Sequence, residues 1–184
     1  MEISEIKEQC ASCENCQLCK TRTNLVFGTG NEHADIMLIG EGPGEKEDLT
    51  GEPFVGPAGK LLDLELELIG LDRTKVYIAN IVKCRPPMNR DPLPQERVQC
   101  RKWLDMQIEA VNPEIIVCLG RISATSLIDE EFKITREHGQ WFYKNGRKYI
   151  ATYHPSALLR DESKRPEAFE DLVKIRAEYE HNLS

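Results

Sequence analysis

Four cysteines recur at one spacing, C-x2-C-x2-C-x2-C, at Cys10, Cys13, Cys16 and Cys19. Thiolates so placed can turn toward one metal from a single short segment. The quartet points to a metal without choosing it, since zinc and an iron-sulfur cluster both accept such ligands. Cys84 and Cys100, separated as C-x15-C, can equally close a site that two of the early cysteines open. Cys118 lies inside an apolar run and reads as a buried small hydrophobe.

A second group of residues suits a ligand pocket. Gly40-Glu41-Gly42-Pro43-Gly44-Glu45-Lys46-Glu47-Asp48 follows an apolar run, and its glycines let backbone approach a ligand closely. The loop lacks the G-x-x-x-x-G-K-[ST] pattern and carries four acids, which excludes a nucleoside triphosphate cradle. Its carboxylates at Glu41 and Glu47 suit positioning a water, stabilising a developing cation or excluding a ligand group by shape; a solvated acidic turn is the plain alternative. Downstream, Phe54 can offer a ring face to a planar ligand. Asn80 carries the donor and acceptor needed to read one edge of a pyrimidine, and His154 can donate to a developing oxyanion.

These residues need elements to hold them. Apolar runs at 36–39, 76–79, 115–119 and 149–152 read as strands buried on both faces, hence a four-stranded parallel sheet. Helical patterns lie between them, at 58–69 with Leu62, Leu66 and Ile69 on one face and Gly70 as a stop, and at 94–111 and 120–128. A tail helix from Pro166 carries Phe169, Leu172, Val173 and Ile175. Alternating strands and helices predict a single α/β/α sandwich over 1–184, with 1–34 as a cysteine-rich segment integral to it. Ligands of such sheets lie beyond the carboxyl ends of the strands, which singles out the loops after Ile39, Ala79 and Tyr153.

The 184 residues carry a net charge of -7, which excludes a broad electrostatic grip on nucleic acid, so any such contact is local. No basic-then-apolar leader and no membrane-length apolar run is present, and seven cysteines in such a chain suit a reducing compartment; the expectation is a soluble, cytoplasmic protein.

Taken together the motifs resemble those of the family 4, iron-sulfur-containing uracil-DNA glycosylases. The resemblance rests on the cysteine-rich start, G-E-G-P-G-E-K-E-D at 40–48, G-E-P-F-V-G-P-A-G at 51–59, N-I-V-K-C-R-P-P at 80–87 and H-P-S at 154–156, and it spans nearly the whole chain. It implies a [4Fe-4S] cluster on Cys13, Cys16, Cys84 and Cys100 with a structural task, Cys10 and Cys19 being spares. It also implies uracil stacked on Phe54, bonded to Asn80 and met at O2 by His154, with Glu41 beside the attacking water, Gly42 in backbone contact and Glu47 near C5, against the thymine methyl. A base inside a duplex must be flipped out to reach such a pocket. Leu158 and Leu159 are the expected wedge, and Arg160, Arg85 and Lys83 the expected phosphate contacts. The implied protein is a monomer acting on uracil in single- or double-stranded DNA, leaving an abasic site at the start of base excision repair.

Two further readings compete. A variant type that traps uracil-DNA covalently carries an extra basic loop and a glutamine where Gly42 stands; neither is found here. A noncatalytic, cluster-bearing DNA-binding module has no need of Glu41, Phe54, Asn80 and His154 together, and an electron carrier leaves the pocket motifs unexplained.

Overall fold

The computed structural model describes residues 1–184. Six strands form one mixed sheet, β1 (Thr29–Gly30), β2 (Ile36–Gly40), β3 (Val76–Asn80), β4 (Ile115–Leu119), β5 (Phe142–Lys144) and β6 (Arg147–Thr152), in the order β1-β3-β2-β4-β6-β5. The expectation of four strands is therefore corrected to six. The apolar runs form β3, β2, β4 and β6, which pair in parallel, and the short β1 and β5 add antiparallel edges. β5 and β6 are joined through Asn145 and Gly146, both at positive φ (52° and 76°), the backbone that a tight hairpin turn requires.

Side chains alternate across the sheet and sort the core into two layers. Met37, Ile39, Tyr77, Ala79, Ile116 and Cys118 face α1 (Ile3–Cys10), α4 (Pro94–Val111) and α5 (Arg121–Leu127). Ile36, Leu38, Val76, Ile78, Ile115 and Val117 face α3 (Pro57–Leu68) and α8 (Arg165–Leu183). The remaining helices are short: α2 (Glu45–Thr50), α6 (Ile134–Glu137) and α7 (Pro155–Arg160). Leu62, Leu66 and Ile69 are buried, and Gly70 turns the chain at φ 73°. On α8 the inward face is Ala168, Asp171, Leu172 and Ile175, while Phe169 and Val173 are exposed; spacings of three and four keep the inward positions on one face. No helix is long and apolar enough to cross a membrane.

Because the four inner strands are parallel, their carboxyl ends share one edge of the sheet. Gly40, Asn80, Leu119 and Thr152 end there, and the loops that follow build the site.

Candidate active site and thiol cavity

Glu41, Gly42, Glu47, Phe54, Asn80 and His154 line one cleft of ≈ 280 Å³ at that edge, at the small end of the ligand-pocket range. β2 and β3 run on together past the sheet, with Ile81 N donating to Gly40 O (2.9 Å) and Val82 N to Glu41 O (3.2 Å). Gly40 is required by its neighbours: a Cβ there would stand 2.6 Å from both Asn80 Oδ1 and Phe54 Cζ. Its absence lets the amide and the ring converge.

Asn80 is 2% exposed, and its Oδ1 is buried without any hydrogen-bond partner. A lone buried acceptor costs about 1–3 kcal/mol, a cost that a ligand N–H would remove. Phe54 lies opposite with φ 54°, a left-handed backbone that costs a non-glycine residue about 1–3 kcal/mol. Arg73 holds it there, donating to Pro53 O (3.0 Å) and to Phe54 O while bonding Asp63 (2.6 Å). Glu47 braces the same loop: its carboxylate accepts from Gly44 N (3.0 Å), Val55 N (2.9 Å) and Gly56 N (2.8 Å).

The His154 ring stacks on Phe54 at 5.5 Å. Its Nδ1 accepts from Ser156 N at 3.1 Å, and since a backbone N–H can only donate, the ring proton belongs on Nε2. Desolvation and the Arg160 cation lower its pKa to about 4, against Glu47, so the ring is neutral at pH 7 and still a donor. The Glu41 carboxyl is pushed up to about 7 by burial, then by a hydrogen bond and charge from the Asp91 carboxyl, with Arg121 and Arg160 pulling the other way. A carboxyl balanced near neutrality suits proton handling or water orientation.

A family model described as the uracil DNA glycosylase superfamily matches residues 27–175. The type-4 uracil-DNA glycosylase of Archaeoglobus fulgidus is 48% identical over 181 residues, covering 94% of this chain and 91% of that protein. Those of Sulfurisphaera tokodaii and Thermotoga maritima are 46% and 45% identical, covering 95% and 96% of this chain and 83% and 93% of theirs. The chain belongs to the uracil-DNA glycosylase superfamily.

Two residues expected at a glycosylase's DNA surface lie elsewhere. Lys83 is 1% exposed, its Nζ donating to Asn80 O (3.1 Å) and Gln107 Oε1 (2.5 Å). Its amine is turned into the core rather than toward the surface, in a run of apolar neighbours. Leu158 is 1% exposed and packs with Tyr153 and Ala168, so it is no wedge; Leu159, one residue on, is 43% exposed. Arg160 lines the cleft, and Arg85 is half-buried, with Nε bonded to Asn89 Oδ1 (2.8 Å). The sequence reading missed Arg73, Asp91 and Ser156, although Ser156 stands within the H-P-S motif.

The expected cluster ligands surround a second cavity. Cys13, Cys16, Cys84 and Cys100 line it, together with Cys19. Three of the sulfurs receive N–H groups: Cys13 from Trp103 Nε1 (3.2 Å), Cys84 from Arg22 Nη1 (3.3 Å) and Cys100 from Lys83 N (3.3 Å). Cys10 is buried in the core, where desolvation pushes its thiol up to about 12. Cys118 is buried within β4, its thiol likewise up to about 12.

Proposed function

We infer that this chain is a uracil-DNA glycosylase, a hydrolase that flips uracil out of DNA, cleaves its N-glycosidic bond and leaves free uracil and an abasic site for base excision repair. The reading fits the type-4 glycosylases to which the chain is similar over nearly its whole length. The observation that carries it is the unpartnered Asn80 Oδ1. Uracil presents N3–H beside O4, so one amide side chain can accept from the first and donate to the second. Phe54 stacks on the ring, and Gly42 lets its loop lie close against the core: a Cβ there would stand 2.7 Å from Val82 Cγ2.

Bond cleavage puts negative charge on the base and positive charge on the sugar. His154, neutral with its proton on Nε2, donates to O2 and makes uracil a better leaving group, an interaction that strengthens as charge develops. Glu41 as carboxylate orients the attacking water and favours the sugar cation. Glu47, fixed by three N–H groups, forms a rigid wall beside C5 against the thymine methyl.

The thiol cavity fits a [4Fe-4S] cluster on Cys13, Cys16, Cys84 and Cys100. Cysteines from three segments gathered round one cavity, three of them met by N–H groups, suit an iron-sulfur cluster. Bound there, such a cluster would tie the N-terminal segment covalently to the chain after Asn80. Lys83 sits between the two sites, its backbone on Cys100 and its amine on Asn80 O, and so holds the strand end that reads the base. We place the protein on uracil-containing DNA as a cytoplasmic monomer.

The direct test is single-turnover reaction of anaerobically purified protein with a labelled uracil-containing oligonucleotide. Free uracil and alkali-labile strands are expected; tight binding with no base released would instead favour a noncatalytic DNA-binding module.

A further inference from the structure

The segment between β3 and α4 displays a side chain with no part in the cleft. Met88 is 93% exposed, more than any other large apolar residue of the chain. It stands at the tip of Pro86-Pro87-Met88-Asn89, where Met88 and Asn89 both take left-handed backbone, at φ 55° and 56°. Asparagine adopts that region readily, but a methionine in it costs about 1–2 kcal/mol. The turn is nevertheless braced: Asn89 N donates to Pro86 O (3.1 Å), Arg90 N to Pro87 O (3.3 Å) and Arg85 Nε to Asn89 Oδ1 (2.8 Å). Two prolines stiffen its approach. An apolar side chain held in water gains no burial on folding, and strain of this kind gathers where function uses it.

The position of the turn gives that use. Pro86, Asn89 and Arg90 line the cleft from the Met88 turn, and His154, Ser156 and Arg160 line it from the start of α7. Leu159, next to Arg160, is also exposed. Two exposed apolar side chains, from two segments, therefore adjoin in sequence residues that line one cleft. Extruding a nucleotide from a duplex leaves a gap in the stack, and apolar wedges, methionine among them, fill such gaps in other DNA-bending proteins.

We propose that Met88 enters the duplex stack beside the flipped nucleotide, as a second wedge paired with Leu159. The proposal rests on the glycosylase reading. An unbranched thioether adapts its shape, so Met88 can enter between varied neighbouring bases. In single-stranded DNA no partner strand holds the stack, and the wedge has nothing to replace.

The test compares wild type, Met88→Ala and Met88→Leu in single-turnover uracil release from one sequence, as a single strand and as a U·A duplex, with 2-aminopurine beside the uracil to report unstacking. Met88→Ala is expected to slow duplex release about tenfold or more and to weaken the fluorescence rise, while single-strand release stays within about twofold and Met88→Leu recovers most of the duplex rate. Equal slowing on both substrates, or an unchanged duplex rate, overturns the proposal while leaving the glycosylase reading intact. No release from either substrate by wild type removes both.

Discussion

The cleft and the thiol cavity lie on either side of Lys83 and are built on opposite rules. In the cleft several groups are left unfinished, although Glu47 and His154 Nδ1 are bonded: Asn80 Oδ1 has no partner, the Glu41 carboxyl sits near neutrality, and the Phe54 backbone is strained. Around the thiols the polar groups are satisfied, with three sulfurs accepting N–H groups and the Lys83 amine bonded twice. A site that must receive a ligand keeps open valences, and a site that must hold the chain closes them. The expected consequence is that changes in the cleft alter rate and leave stability nearly untouched, and changes at the cavity do the reverse.

The largest effect belongs to the cleft. His154→Ala is expected to lower the single-turnover rate about 10²–10³-fold, the usual loss of a donor to developing negative charge, with iron content and unfolding temperature unchanged. A matching fall in stability would erase the contrast. At the cavity, Cys84→Ala should lose most of its iron and lower the unfolding temperature by roughly 10 °C, because metal-binding energy is folding energy. Iron assay and thermal unfolding read both.

A smaller effect comes from pH. With its folded pKa raised to about 7, Glu41 is carboxylate above that value and becomes protonated as pH falls through it. The rate should therefore fall about tenfold between the plateau and pH 6, and Glu41→Gln should flatten this limb. His154, at about 4, adds no limb between pH 5 and 8. A limb unchanged in Glu41→Gln would assign it to another group.

The smallest effect separates two readings of Lys83. Lys83→Met leaves Asn80 O and Gln107 Oε1 unpaired and should cost about 1–3 kcal/mol of stability in denaturant unfolding. The salt dependence of DNA binding should not move. A lysine that touched phosphate would change the slope of log K against log salt by roughly 1 with little loss of stability.

Much of this was legible in the sequence. The four inner strands are continuous apolar runs, and at 115–119 the short length, the β-branched Ile115-Ile116-Val117 and the glycine that follows mark a strand buried on both faces, as all five residues are. β1 was not legible, since two residues beside a glycine carry no pattern. β5 could have been found, because Asn145-Gly146 is a strong hairpin signal between flanking strands. Within the site, residue types marked Asn80 and His154 beside strand ends and Phe54 on a loop as ligand-facing candidates, and all three line the cleft; the roles proposed for them come from the family resemblance. Lys83 and Leu158 were misplaced because formula alone cannot tell an exposed lysine or leucine from one turned inward. Arg73 and Asp91 were missed because they act through partners distant in sequence, which only the folded chain brings near.

Single-turnover release of uracil, thymine and cytosine from otherwise identical oligonucleotides, by wild type and Asn80→Ala, tests most directly whether Asn80 reads the base. The expected result is release of uracil alone by wild type, with Asn80→Ala slowed about a hundredfold or more, as befits a site built to bond one polar edge. Undiminished uracil release by Asn80→Ala would contradict it.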